Sequence, residues 1–331
     1  MKAIVYEKYG LPDVLERKEI DKPVVAEDEV LVRIRASSVN PVDWYGMIGL
    51  YIARMGGGLR KPKDTRLGVD FAGVVEAVGG NVKQFRPGDE VYGGRSGAFA
   101  EYISIHEQRG IAPKPANLTF EQAAAVPVAA LTALQGLRDH GQLQPGQKVL
   151  INGASGGVGT FAVQIARAFG AEVTGVCSTG NVDLVRSLGA DHVIDYTRED
   201  FTRSGRRYDL FLDIAGSRSW SECKRVLNPR AIFVIVGGPK ANRWIGPLSH
   251  VIKLRLAALR ASQKVVFFIA NLNKEDLVVM QELLEAGKVT PVIDKRYELS
   301  ELPEAMRYLG EGHARGKVVI TVENQGKQDL P

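Results

Sequence analysis

VLINGASGGVGTFAVQIARAFG, residues 149–170, joins a short apolar run to a glycine-rich turn and then to a helical pattern. Val149, Leu150 and Ile151 read as a buried strand. Residues 152–159 are turn-forming. Beyond them, apolar residues recur at Phe161, Val163, Ile165 and Ala166, which is helical spacing, and Gly170 stands as a helix stop. Strand, glycine turn and helix make the geometry in which a dinucleotide pyrophosphate rests on a helix N-terminus, where free N–H groups and the helix dipole meet negative charge. Gly156 and Gly157 remove the Cβ atoms that would hold phosphates away, and Gly159 lets the helix lie close on the strand. Ala154 occupies the place of the first glycine in the G-x-G-x-x-G spacing, leaving A-S-G-G-V-G. A second strand follows at residues 172–177, so the context favours dinucleotide binding over an ordinary turn.

Working outward, 331 residues suggest two domains, each with its own core. A net charge of +5 suits an anionic ligand, but no basic run is interleaved with aromatics, which argues against nucleic acid. Two cysteines, Cys177 and Cys223, exclude a disulfide framework and a four-cysteine zinc site. The opening Met1-Lys2-Ala3-Ile4-Val5-Tyr6 reads as a strand, not a signal peptide. The longest apolar stretch, 123–134, is interrupted by Pro127 and too short to span a bilayer. A cytoplasmic location is expected.

Residues 1–122 read mostly as β. Strands are expected at 2–6, 29–35, 71–78, 90–92 and 100–105, separated by turns such as Arg86-Pro87-Gly88-Asp89, in the manner of a small barrel or sandwich. Gly56-Gly57-Gly58, beside Arg60, Lys61 and Lys63, reads as a mobile loop. The period then changes. A helix is expected over 120–137, followed by strands at 148–152, 172–177, 192–195, 209–214 and 231–236. Helices at 160–169, 182–188 and 219–226 alternate with these strands. Such alternation argues for a parallel, doubly wound sheet. A strand at 265–269, helices at 274–286 and 301–309 and a strand at 317–322 complete the chain, with a frayed tail at 324–331.

Arg86-Pro87-Gly88-Asp89-Glu90-Val91, the turn 154–159, Leu188-Gly189-Ala190-Asp191, Asp195-Tyr196 and Gly312-His313-Ala314-Arg315-Gly316-Lys317 occur in this order. Together they resemble the medium-chain dehydrogenase/reductase superfamily, over essentially the whole chain and closest to its zinc-free quinone oxidoreductase branch. The resemblance implies an α/β protein with a GroES-like β-barrel domain (residues 1–122 and 292–331) and a Rossmann doubly wound parallel-sheet domain (123–291), the cofactor lying in the cleft against Ser155, Gly156, Gly157, Val158 and Gly159.

In an NAD-specific fold an acidic residue ends the second strand and holds the ribose hydroxyls. Here that strand ends in Cys177-Ser178-Thr179-Gly180-Asn181, without a carboxylate. Glu172 lies at its other end and Asp183 beyond the turn. A ribose 2′-phosphate meets no repulsion, and Ser178 and Asn181 can donate to it, so NADPH is expected ahead of NADH. No single arginine marks the phosphate pocket. The resemblance adds Tyr196 as a phosphate contact, Gly237, Gly238 and Phe268 near the nicotinamide, and His313, Ala314 and Arg315 from a C-terminal loop.

Zinc members of the superfamily use an early cysteine and a Gly-His-Glu triplet. This chain has Ser37-Ser38-Val39-Asn40 and Gly68-Val69-Asp70 there, and its five histidines show no ligand spacing, so no metal is expected. Without a Lewis acid, conjugated acceptors suit the site better than isolated carbonyls, because charge delocalised onto oxygen can be met by hydrogen-bond donors. The expected activity is hydride transfer to a small-molecule quinone or enone. The resemblance puts Asn40, Asp43 and Tyr45 beside nicotinamide and substrate, with Tyr45 as donor; a structural role for each stands beside the chemical one. Alternatives are a zinc-free alcohol dehydrogenase or 2-enoyl-thioester reductase, and an NADPH-binding regulatory protein. Trp44, Tyr45, Met47, Ile48, Leu50 and Tyr51 read as an apolar loop, either walling a flat pocket or simply packing. Residues 250–264, apolar and basic, read as a lid over the cleft ahead of a membrane contact. The strand at 265–269 reads as an edge through which two copies pair.

Overall fold

The computed structural model describes residues 1–50, 54–55, 57–238 and 248–322. Tyr51, Gly56 and the tail 324–331 lie outside the described residues.

The apolar run 149–151 is the middle of β8 (Lys148–Asn152), fully buried at Val149, Leu150 and Ile151. It is the founding strand of a six-stranded parallel sheet. β9 (Glu172–Cys177) and β10 (His192–Asp195) are laid down on one side. β11 (Tyr208–Asp213), β12 (Leu227–Ile235) and β13 (Lys264–Phe267) are laid down on the other. The chain therefore reverses its direction of growth between β8 and β11. In open α/β sheets that reversal leaves a crevice beyond the carboxyl ends of the strands, where ligands bind. The helix Gly157–Ala168 buries Phe161, Ala162, Val163, Ile165 and Ala166 against the sheet. Gly159 is needed for this packing, since a Cβ there would lie 2.1 Å from the Gly153 carbonyl oxygen.

A second sheet runs in the order β14–β15–β3–β4–β5–β7, from strands at Ile293–Glu298, Lys317–Thr321, Glu29–Val39, Asp70–Val78, Glu90–Gly94 and Ile111–Pro113. It is antiparallel except for the parallel pair β14–β15. Its longest strand, β3, changes neighbours along its length. Residues 29–33 pair with β6 (Tyr102–His106) and residues 36–39 with β15. The last described strand is thereby inserted beside one of the first. β1 (Lys2–Val5) and β2 (Glu16–Glu19) form a separate hairpin.

Several elements differ from the sequence expectation. The helix expected over 120–137 is two helices, Phe120–Ala124 and Pro127–Gln135, followed by a wide turn at Gly136–His140. Pro127 has no N–H to continue the first helix and starts the second at its preferred N-terminal place. The stretch read as an apolar loop is α1 (Pro41–Ile48), with Asn40 as N-cap, proline in its first turn and Asp43 folding back on the cap. That is a capping-box pattern. The helix expected over 219–226 is a single turn, Trp220–Cys223, tightening into Lys224–Val226. Gly57 and Gly58 are tied down: Gly57 accepts from the Lys63 N–H and Gly58 from the Tyr9 hydroxyl, both at 2.7 Å.

Gly159→Ala should weaken the fold by about 1–3 kcal/mol through overpacking of helix on turn. Urea unfolding is the check, and an unchanged midpoint would mean that the close approach is not required.

Candidate active site

Sheet and turn meet through one buried cluster. Asp70, the first residue of β4, is 0 % exposed, and Lys317, the first of β15, is 3 % exposed. The Lys317 Nζ lies 3.2 Å from Asp70 Oδ2. The same Oδ2 accepts from Ser38 Oγ at 2.7 Å and Asn40 Nδ2 at 2.9 Å. Asp70 Oδ1 accepts from the Val128 N–H at 2.9 Å. That N–H belongs to the first turn of the helix Pro127–Gln135, where a carboxylate is favoured. Lys317 also donates to Asn40 Oδ1, and Asn40 N–H donates to Asp43 Oδ2 at 2.8 Å.

Two of the three catalytic candidates belong to this cluster. Asn40 and Asp43 are buried, and their hydrogen bonds to Asp70, to Lys317 and to each other tie the start of α1 into the cluster. Tyr45 is half-buried on α1, its hydroxyl has no hydrogen-bond partner among the described residues, and burial raises its pKa. Burial pushes the Asp43 carboxyl up to about 7, with the Asp70 carboxylate adding to the rise, while the Asn40 and Gly68 N–H groups and Lys317 work against it.

The positions where the resemblance would look for metal ligands are part of the same cluster. Ser37 Oγ donates to the Asp70 carbonyl, Ser38 Oγ to its carboxylate, and Val69 brings no ligand atom. The cation beside Asp70 is the ammonium of Lys317. Among the described residues there is no group of three or more His, Cys, Asp or Glu that could hold a metal ion.

Lys317 leads directly to the glycine-rich turn. The Gly316 N–H donates to the Ser155 carbonyl at 2.9 Å, and Gly156 and Gly316 form an isolated parallel bridge. The helix Gly157–Ala168 begins at Gly156 with no side-chain cap, leaving its first N–H groups to an outside acceptor. A Cβ on Gly156 would meet only the Gly153 oxygen, at 3.5 Å, so the turn is open above it. Val158 is the second residue of that helix.

At the end of β9, Asn181 Nδ2 donates to Ser155 Oγ at 3.2 Å and Ser178 Oγ at 3.1 Å, while Asn181 Oδ1 is buried without a partner among the described residues. Arg315, expected at the cofactor from the C-terminal loop, lies beside this turn. Arg315 Nη2 would lie 3.4 Å from a Cβ on Gly180, and its guanidinium forms no ion pair among the described residues. Ser178, Asn181 and Arg315 thus come together with the glycine-rich turn. Tyr196 follows β10, is 54 % exposed, and donates its N–H to the Cys177 carbonyl. The sequence reading missed Asp195 beside them, because it arrives from the third strand in register with Cys177. Its carboxylate accepts from the hydroxyls of Thr179 and Thr197, and the Thr179 hydrogen bond leads the lowering of its pKa.

Gly237 and Gly238 follow β12 and pack backbone to backbone on the segment after β11. A Cβ on Gly237 would lie 2.1 Å from the Ile214 oxygen, and one on Gly216 2.5 Å from Gly238 Cα. Phe268 stacks on His140 with ring centroids 4.2 Å apart. His313 is exposed and Ala314 half-buried in the loop that carries Arg315.

Residues 26–116 match the family model described as alcohol dehydrogenase GroES-like domain, and residues 188–320 the one described as zinc-binding dehydrogenase. The chain is 36 % identical over 335 residues to a 2-methylene-furan-3-one reductase of Solanum lycopersicum, covering 97 % of this chain and 79 % of that protein. It is 35 % identical over 362 residues to the mitochondrial NAD(P)H oxidoreductase RTN4IP1 of Mus musculus, covering 97 % and 89 %. Among solved structures, the quinone oxidoreductase of Escherichia coli complexed with NADPH superposes with a TM-score of 0.83 at 26 % identity, covering 97 % of this chain and all of that one.

The Asp43 carboxyl gives a pH test with a defined sign. Its ordinary value is 3.8 and its folded value about 7, so between them the folded state binds more protons than the unfolded state, and this group's contribution to stability falls as pH rises. Asp43→Asn removes that slope. The urea midpoint of the wild type should drop relative to the variant from about pH 4 to about pH 7 and run parallel above it; parallel curves throughout would place the Asp43 titration elsewhere.

Proposed function

The chain belongs to the medium-chain dehydrogenase/reductase superfamily, and from that premise we propose that it is an NADPH-dependent oxidoreductase that reduces quinones or α,β-unsaturated carbonyls without zinc. The observation that carries the reading is the composite cradle at the head of the six-stranded sheet: an uncapped helix start, the polar pair Ser178 and Asn181, and the Arg315 guanidinium beside Gly180. A pyrophosphate and a ribose 2′-phosphate are the anions these groups suit.

NADPH, when bound, supplies a hydride to an electrophilic carbon. The chain's residues bind and orient. Ser155, Gly156, Gly157, Val158 and Gly159 take the pyrophosphate, and Ser178, Asn181, Tyr196 and Arg315 the 2′-phosphate. Gly237 and Gly238 leave room for the nicotinamide, with Phe268, His313 and Ala314 bordering the cleft. Tyr45 donates to the acceptor oxygen, where a conjugated substrate gathers negative charge. Asn40 and Asp43 act at one remove, by fixing α1.

Support for zinc independence comes from the donor set. At the positions used by zinc relatives the side chains are serine, valine and an aspartate already paired with Lys317. The domain division at residues 1–122, 123–291 and 292–331 belongs to this proposal, and the two sheets fall on either side of it. Two further parts are a cytoplasmic setting, which two buried free cysteines fit, and pairing of two copies through β13, which among the described residues has a sheet neighbour only in β12 and is followed by Ile269 at 85 % exposure. Among the described residues no helix is long and apolar enough to cross a membrane.

The test is oxidation of NADPH and NADH against quinones, enones and simple ketones, before and after chelator treatment. Conjugated acceptors should turn over with NADPH preferred and with no loss after chelation. Activity confined to simple ketones and abolished by chelator overturns the assignment. Arg315→Ala should raise the KM for NADPH about tenfold or more and leave that for NADH nearly unchanged, since charge-assisted hydrogen bonds to phosphate carry about this much. An equal effect on both cofactors would remove Arg315 from the 2′-phosphate.

A further inference from the structure

Arg315 lies between the helix Leu302–Glu311 and β15, with its side chain exposed. A long exposed side chain loses rotamer freedom when it meets an anion, and a fixed backbone lowers that cost. Three successive N–H groups fix the backbone here. Arg315 N–H donates to Asp294 Oδ2 at 2.9 Å, Gly316 N–H to the Ser155 carbonyl at 2.9 Å, and Lys317 N–H to the Val292 carbonyl at 2.8 Å. The last two acceptors are backbone atoms, which most side chains in their place would leave available. The first is a side chain, and it acts at Arg315 itself.

Asp294 is placed for this by an irregularity in β14. Ile293 pairs with Lys317 and Lys295 with Val318, so two steps along β14 match one along β15 and Asp294 is the extra residue. A bulge of this kind re-aims a side chain that the ladder would otherwise direct. The same Oδ2 accepts from the Tyr308 hydroxyl at 2.6 Å, on the helix that precedes the loop. The Lys295 ammonium lies 3.7 Å from the centroid of the Tyr308 ring. The hydrogen bond to Asp294, with burial adding to it, pushes the Tyr308 hydroxyl up to about 12, so it stays a donor at neutral pH. Among the described residues Asp294 takes these two neutral donors and no ion pair, so it holds the Arg315 backbone without capturing the guanidinium.

We infer that Asp294 is a positioning residue for cofactor choice: it holds Arg315 so that the guanidinium meets the ribose 2′-phosphate and NADPH is favoured over NADH, a role that rests on the assignment of Arg315 to that phosphate.

Calorimetric titration of the full chain with NADPH and with NADH tests this apart from turnover. D294A should weaken NADPH about three- to tenfold, the net contribution of one hydrogen bond, and leave NADH within about twofold. Its kcat with a quinone at saturating NADPH should stay at the wild-type rate. D294N keeps an acceptor oxygen and should bring NADPH binding back to within about twofold of wild type. Introduced into R315A, D294A should add less than about twofold, because the side chain it aims is gone. Y308F keeps the ring and removes one of the two donors to Asp294. It should weaken NADPH about twofold, again without moving NADH, and carries the test where D294A does not fold. Equal weakening of both cofactors by D294A, or a D294A effect that persists in R315A, overturns the inference. So does NADPH binding unchanged in both D294A and Y308F. R315A alone separates the two levels. An equal effect on both cofactors removes Arg315 from the 2′-phosphate and this role of Asp294 with it, whereas a selective R315A effect beside a silent D294A overturns the role of Asp294 only.

Discussion

An ammonium and a carboxylate sealed from water, Lys317 and Asp70, join what is otherwise a loosely related set of segments. Removing two charges from water costs several kcal/mol per ion, and their attraction repays it only with good geometry and further hydrogen bonds. Both conditions hold. Asp70 takes donors from Ser38, Asn40 and Val128 besides the ammonium. Lys317 reaches Asn40 Oδ1 and lies 3.4 Å from the Val39 carbonyl. Loss of either partner would strand a buried charge, at a cost of about 3–5 kcal/mol. The contact therefore fixes β3, β4, β15 and the start of the helix Pro127–Gln135 against one another.

Everything proposed about the cleft inherits that constraint. One residue before Lys317, Gly316 is bonded to the glycine-rich turn, and one residue earlier still Arg315 reaches Gly180. On the other side, Asn40 passes the constraint through Asp43 to α1 and its Tyr45. The phosphate end and the proposed donor end of the cleft are thus referenced to a single buried point. Asp43 brings a second carboxylate to a cluster with one cation; its burial raises its pKa, and the neighbouring Asp70 carboxylate adds to the rise. The polar residues here are arranged for position.

Much of the fold was legible because its signals are local. Residues 149–151, the turn and the helix were readable from periodicity and glycine alone, as was the alternation that builds the parallel sheet. Pro127 was visible, but the apolar residues on both sides of it carry one helical pattern; its missing N–H divides them into two helices. The capping pattern Asn40-Pro41-x-Asp43 was legible too and announced α1 where a loop was expected. β2, with the sequence Glu-Arg-Lys-Glu, carries no apolar alternation and is held by its partner β1. The site was harder to read. Ser178 and Asn181 stood out as a turn without a carboxylate. Arg315 was expected at the cofactor only through the resemblance, and Asp195 enters that turn from the third strand; nothing local shows either proximity. Asp70 and Lys317 could be noted only as the residues in place of a metal ligand and at the end of a motif.

That separation has a consequence for biosynthesis. Lys317 lies 247 positions after Asp70 in the chain. At about 5–20 residues per second, a ribosome delivers it roughly 12–50 s later. The strands of the six-stranded sheet are contiguous, and that module can fold as it emerges. The other sheet must wait with an uncompensated carboxylate and a vacant place beside β3. For that interval the nascent chain offers an open strand edge to its surroundings, so the interior salt contact doubles as a late closing step, and premature termination before it would leave a half-finished sheet for chaperones to handle.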